Sequence, residues 1–156
     1  MRVQALTWSL VVVLASTAGV GSACAQAGMV AVAGVDAATG KQVRAVIEAQ
    51  LKAFAADDAT KAFSYAAPAI RGLFGTPQQF IGMVGTSYPV LLNPTSVVFL
   101  KVVRSNDGAA DELSQSVQLT DTDGRLWLAT YHLLRQADKS WRIGGCELVS
   151  NQGRAT

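Results

Sequence analysis

The sequence predicts an α+β fold in which N-terminal helices pack on a curved four-stranded antiparallel sheet. Three observations predict it. Apolar residues recur at helical spacing up to Tyr88; from Asn93 onward the period changes to two; and the helices are grouped before the strands rather than alternating with them. No internal repeat or low-complexity linker interrupts this order. The chain has 156 residues, half of them hydrophobic, with 15% charged and a mean hydropathy of +0.27. That is enough apolar material for one cored domain after a leader is subtracted.

The leader comes first. "MRVQALTWSLVVVLASTAGVGSACAQAG" carries one positive charge, Arg2, then an apolar stretch from Ala5 to Ala18, then small residues. Ala23-Cys24-Ala25 has the A-x-A pattern of a signal-peptidase site, and Ala25-Gln26-Ala27 is a second option. This layout predicts a signal peptide over residues 1–25 and a periplasmic or secreted mature chain. An uncleaved anchor fits less well, because the apolar core falls short of the ~20 residues that span a bilayer. A lipoprotein acylated at Cys24 is the other alternative, although Gly21-Ser22-Ala23 lacks the aliphatic residue usual upstream of such a site.

Residues 26–38, "QAGMVAVAGVDAA", show no clear period and read as a flexible N-terminal segment; the single domain is expected over 39–150 and a tail over 151–156. Asp36 or Thr39 can cap the first helix. In it Val43, Val46, Ile47, Gln50, Leu51 and Phe54 form one face, and Lys41, Arg44, Glu48 and Lys52 the other. Asp57-Asp58 invites an acid–base reading as a carboxylate pair. Chain neighbours do not face each other, so the expected role is to cap a short helix, "DATKAFSYAA". "PAIRGLFG" predicts another helical turn. Thr76, Pro77 and Gln79 then open a helix as cap, first residue and capping-box partner, with Phe80, Met83, Val84 and Tyr88 as its buried stripe.

Four strands follow. "TSVVFLKVVR" is stopped by "SNDGAAD"; "ELSQSVQLTD" places Leu113, Val117 and Leu119 on one face; "DTDG" and "ADKS" are turns. Arg125–Gln136 is apolar on both faces, Leu126, Leu128, Thr130, His132 and Leu134 on one and Trp127, Ala129, Tyr131 and Leu133 on the other. Such a strand is expected to be central and covered on both sides. The second cover is left open between another copy of the chain, a cavity and the N-terminal segment.

In the last strand, "WRIGGCELV", strict alternation separates Trp141 and Ile143 from Cys146 and Leu148. A bulge at Gly144-Gly145, with one glycine at positive φ, would bring all four onto the core face. Cys146 is then a small buried hydrophobe with a raised pKa. With Cys24 removed in the leader, no intramolecular disulfide is expected, and no CxxC or histidine cluster supports a metal or redox role.

Three stretches, "IEAQLKAFAADDATKAFSYAAPAIRGLFGTPQQFIGMV", "GRLWLATYHLLRQ" and "WRIGGCEL", together resemble a bacterial family catalogued only as a domain of unknown function, number 4864. The resemblance runs from about Val43 to Leu148. It implies a fold similar to the nuclear-transport-factor-2-like cone, a bent antiparallel sheet wrapped on helices, often with a pocket and often dimeric. It implies no catalytic residue, because the family has no settled function, and fold alone does not choose one.

Several function classes are excluded. Removing Arg2 leaves 12 basic against 11 acidic residues, and the basic ones are scattered, so nucleic acid is not an expected partner. There is no phosphate loop, dinucleotide fingerprint or nucleophile elbow, and no cofactor is expected. The expected function is an exported small-molecule-binding or protein-interaction module. Its expected partners are a small apolar ligand or a second copy docked through the sheet face. Phe99, Met83, Trp127, Tyr131 and Trp141 are the candidate cavity walls, and Gln115, Trp127, Tyr131 and His132 the candidate ligand-binding residues. Tyr88 and Tyr131 can donate hydrogen bonds. The alternative is a small isomerase- or dehydratase-like enzyme with His132, the only histidine, as acid/base, and Thr130 and Gln115 beside it in a cavity.

Overall fold

The computed structural model describes residues 34–105 and 111–151. The signal-peptide and Cys24 readings, residues 26–33 of the N-terminal segment and the tail beyond Asn151 lie outside the described residues. Among the described residues four helices precede four strands, and the class is α+β. The helices are α1 (Ala37–Ala55), α2 (Ala59–Ser64), α3 (Pro68–Phe74) and α4 (Pro77–Ser87), with a 3-10 turn at Pro89–Leu91. The strands are β1 (Ser96–Arg104), β2 (Glu112–Thr120), β3 (Leu126–Arg135) and β4 (Trp141–Ser150). They form one antiparallel sheet in the order β1-β2-β3-β4.

The helix starts follow the sequence closely. Asp36 caps α1 by accepting from the Thr39 N–H at 2.9 Å, so the helix begins two residues inside the segment read as flexible, and Val35 packs on the core. Asp58 caps α2 through the Lys61 N–H, which settles the Asp57-Asp58 pair as a chain reversal and a cap. Asp57 itself sits at φ 55°, a conformation aspartate tolerates better than most residues. Thr76 accepts from the Gln79 N–H at 3.3 Å, but the capping box is only half formed. The Thr76 N–H donates to the Phe74 carbonyl, and the Gln79 side-chain oxygen lies instead beside Gly75.

Val43, Ile47, Leu51 and Phe54 of α1 meet Leu113, Val117, Leu119, Ala129, Tyr131 and Leu133 in one core, joined by Phe63, Phe80 and Val84. The rings of Phe54, Phe63 and Phe74 each approach Phe80 at 5.3–6.1 Å between centroids, which fixes α1, α2, α3 and α4 around one aromatic hub.

The two sheet edges differ. At the β4 edge the chain between α2 and α3 adds a short parallel bridge: Ile143 N–H donates to the Tyr65 carbonyl and Ala67 N–H to the Ile143 carbonyl. At the other edge β1 is mostly exposed, with only Phe99 and Val102 half-buried.

One expectation about the sheet holds in part and one needs correction. β3 is an internal strand with one face under the helices; Leu126, Leu128, Thr130, His132 and Leu134 on the other face are half-exposed among the described residues, which include neither a second copy nor residues 26–33. The bulge in β4 is present, because His132 pairs with Gly145 and Leu133 with Ile143, leaving Gly144 extra. Cys146 then pairs with the buried Tyr131, and Trp141, Ile143, Cys146 and Leu148 share the core side. Neither glycine of the bulge has positive φ, however. Glycine is needed at 144 for space: a Cβ there would lie 2.8 Å from Leu134 Cδ1.

A candidate ligand-binding cavity under the helices

Between the helix layer and the inner face of β3 and β4 lies a cavity of about 250 Å³. Gln50 and Phe54 of α1 wall one side, Phe80, Met83 and Val84 of α4 another, and Tyr131, Ile143 and Cys146 form the floor. Tyr88 and Leu91 close one end. At the mouth stands α3, which contributes Ile70, Leu73 and Phe74 and has no fully buried residue; Leu73 is 75% exposed. Gly75, at φ 70°, ends that helix as only glycine readily does.

The walls are almost entirely hydrocarbon and aromatic carbon, and among the described residues the lining contains no Asp, Glu, Lys, Arg or His. Its polar groups are few. Tyr131 is fully buried and its hydroxyl has no hydrogen-bond partner among the described residues. Burial holds its pKa well above the usual phenol value, and the adjoining Cys146 pushes the same way, so the group is a neutral O–H. Burial, with a smaller push from Glu147, raises the Cys146 thiol to about 12. Cys146 is half-buried, not fully buried as the sequence predicts, and its thiol keeps its proton at physiological pH. Gln50 is 3% exposed, and its amide N–H donates to the Ala62 carbonyl at 3.2 Å.

The candidate residues read from the sequence scatter over the molecule, and Tyr131 alone of the four lines this cavity. Gln115 lies on the inner face of β2, buried, but its amide is spent on the Leu100 and Ser116 carbonyls, and it faces a groove between α1 and β1. Phe99 lines that groove too, under the Arg44 guanidinium at 4.5 Å. Trp127 donates to Asp121 at 2.9 Å beside the β2–β3 turn, and that bond is the main reason the Asp121 carboxyl is held below its ordinary pKa. Trp141 lies against α1 at the outer end of the core.

His132 and Thr130 project from the opposite face of β3. His132 Nδ1 is 3.2 Å from Ser114 Oγ, and Nε2 is 3.7 Å from Glu147 Oε1, too long for a hydrogen bond. The Glu147 side chain is 77% exposed. The structure thus separates His132 from Gln115 and from the cavity by the thickness of the sheet, because Ser114 pairs with His132 and Gln115 with Tyr131. Among the further residues brought to the cavity, Gln50 and Cys146 were legible as signals without being read as ligand contacts. Gln50 is the one polar residue in the buried stripe of α1, and the glycine pair determines where Cys146 points.

A family model described as "Domain of unknown function (DUF4864)" matches residues 36–156. The chain belongs to the DUF4864 family. The match begins at Asp36, the cap of α1, so the family unit contains every described helix and strand. No curated protein and no solved structure matches the chain. Among the described residues no helix is long and apolar enough to cross a membrane, and no cluster of three or more His, Cys, Asp or Glu side chains has metal-holding geometry.

Proposed function

We propose that this DUF4864 chain is an exported small-molecule-binding module that takes an apolar ligand into the cavity between its helices and the inner face of its sheet. The observation that carries the reading is the cavity itself: about 250 Å³, walled by apolar side chains and entered past a thinly packed helix. Cavities are normally squeezed out of protein cores, since they forfeit dispersion contacts. An apolar cavity of roughly 150 Å³ already accommodates a benzene-sized molecule, so the space suits a single ring or a short acyl chain. Export is supported by the leader pattern around Arg2 and Ala23-Cys24-Ala25. A nuclear-transport-factor-2-like cone is supported by helices laid on one face of an antiparallel sheet that bulges in β1 and β4.

Native mass spectrometry of the mature protein tests this reading. A small adduct that survives gentle desolvation, and is lost in a Cys146→Leu variant with extra bulk at the cavity floor, is the expected result. Equal adduct binding by both proteins would place the ligand elsewhere.

A second reading is favoured by a different observation. Val98, Val103 and Val149 on the outer face are 46%, 39% and 56% exposed, an apolar surface suited to a second copy of the chain. Sedimentation across a range of concentrations tests it: dimers weakened by Val149→Lys support it, and a monomer at every concentration removes it.

A further inference from the structure

We infer that the ligand is a neutral molecule with an apolar body and one oxygen acceptor, a ketone, phenol or alcohol, and that the Tyr131 hydroxyl donates the hydrogen bond that orients it. The inference rests on the binding reading above and adds the chemistry of the ligand to it.

The argument starts from an imbalance. Tyr131 is 0% exposed, yet its hydroxyl has no partner among the described residues. A hydroxyl buried without a hydrogen bond costs about 1–3 kcal/mol, and a phenylalanine of the same shape would avoid that cost. The side chain comes from the middle of β3, whose backbone is held by β2 at Gln115 and by β4 at Cys146, so its root is fixed and its hydroxyl is buried. It belongs to the residues that line the cavity. A water molecule answers the imbalance poorly, because a buried water wants two to four polar partners and these walls are nearly all carbon. A ligand oxygen on an apolar body answers it with one bond and fills the remaining space with contacts of the right kind.

The ligand's charge follows from what the walls lack. No cation lines the cavity among the described residues, so a carboxylate or phosphate would enter without a counter-charge. No carboxylate lines it either, so an ammonium group is disfavoured equally. The phenol and the thiol both hold their protons, which leaves a site that is neutral throughout. Between a pure hydrocarbon and its oxygenated isostere the site should prefer the second, because only the second relieves Tyr131.

Three probes of nearly the same shape test the inference on the full mature chain: p-xylene, p-cresol and p-toluate, titrated by calorimetry or NMR into wild type and Tyr131→Phe. Wild type should bind p-cresol about tenfold more tightly than p-xylene, the effect of one well-made hydrogen bond, and p-toluate at least tenfold more weakly than p-cresol. Tyr131→Phe should fold as well as wild type or better, keep its affinity for p-xylene and lose most of the preference for p-cresol. Equal wild-type affinities for p-xylene and p-cresol would overturn the inference while leaving the cavity reading intact. So would a preference unchanged in Tyr131→Phe, or a tighter complex with p-toluate. Failure of all three probes to bind wild type would instead sink the cavity reading on which the inference stands.

Discussion

Tyr131 and His132 are neighbours on β3 and point to opposite sides of the same sheet. The inner side, under the helices, is dry: Tyr131 is fully buried, its hydroxyl is unpartnered and its proton is tightly held. The outer side is partly open: His132 has a 31% exposed side chain, a serine at 3.2 Å from Nδ1 and a largely exposed glutamate at 3.7 Å from a buried, unpartnered Nε2. Histidine is the more versatile residue for catalysis. Here its Nε2, like the Tyr131 hydroxyl, is buried without a hydrogen-bond partner among the described residues, but the rest of the side chain is open to solvent and does not line the cavity. The difference teaches that the helix layer, not the chemistry of the side chain, decides which face encloses a space.

The sharpest way to break the contrast is to delete the same atoms on each face. Leu133 is fully buried on the inner face and Leu134 half-buried on the outer. Leu133→Ala should cost about 2–5 kcal/mol in chemical denaturation, and Leu134→Ala about 1 kcal/mol or less. Similar costs would mean that the outer face is covered by something in solution.

A smaller effect is expected at the bulge. Gly144→Ala puts a methyl group 2.8 Å from the Leu134 side chain, which must turn aside at a cost of about 1 kcal/mol. In a Leu134→Ala background that cost should vanish, and a double-mutant cycle measures the difference. A cost that persisted would trace the glycine requirement to the backbone rather than to the contact.

The inner face should also show itself through pH. The folded Cys146 thiol holds its proton up to about 12 against an ordinary 9.0. Its contribution to stability is therefore whole below pH 9.0 and fades as pH rises toward 12. Denaturation midpoints for wild type should fall across that window, and less so for Cys146→Ala, although Tyr131 adds a loss of the same sign. Thiol labelling of the native protein near neutral pH should be slow and should accelerate on unfolding; rapid native labelling would contradict the sheltered sulfur. The smallest change is expected for His132→Ala, within about 1 kcal/mol of wild type and with no effect on cavity ligands.

Much of this was legible in the sequence. Period and capping residues gave the helices, since Asp36, Asp58 and Thr76 each accept the N–H three residues on. The period of two and the glycine pair gave the strands and the bulge. The candidate site was less legible, because alternation assigns residues to two faces without saying which face a cavity lies under. Gln115 and His132 have odd and even positions on paired strands, and their shared register puts them on opposite sides. The cavity walls come from six separate segments, and no local pattern reports that α1, α4 and β4 stop short of contact there. The one polar residue in the α1 stripe, Gln50, was the available clue.

NMR with methyl-labelled protein reads the contrast between the two faces directly. On addition of p-cresol, intermolecular NOEs are expected to the methyl groups of Met83 and Ile143 at the cavity and to none of Leu128 or Val149 on the outer face. NOEs confined to Leu128 and Val149 would contradict a ligand site beneath the helices.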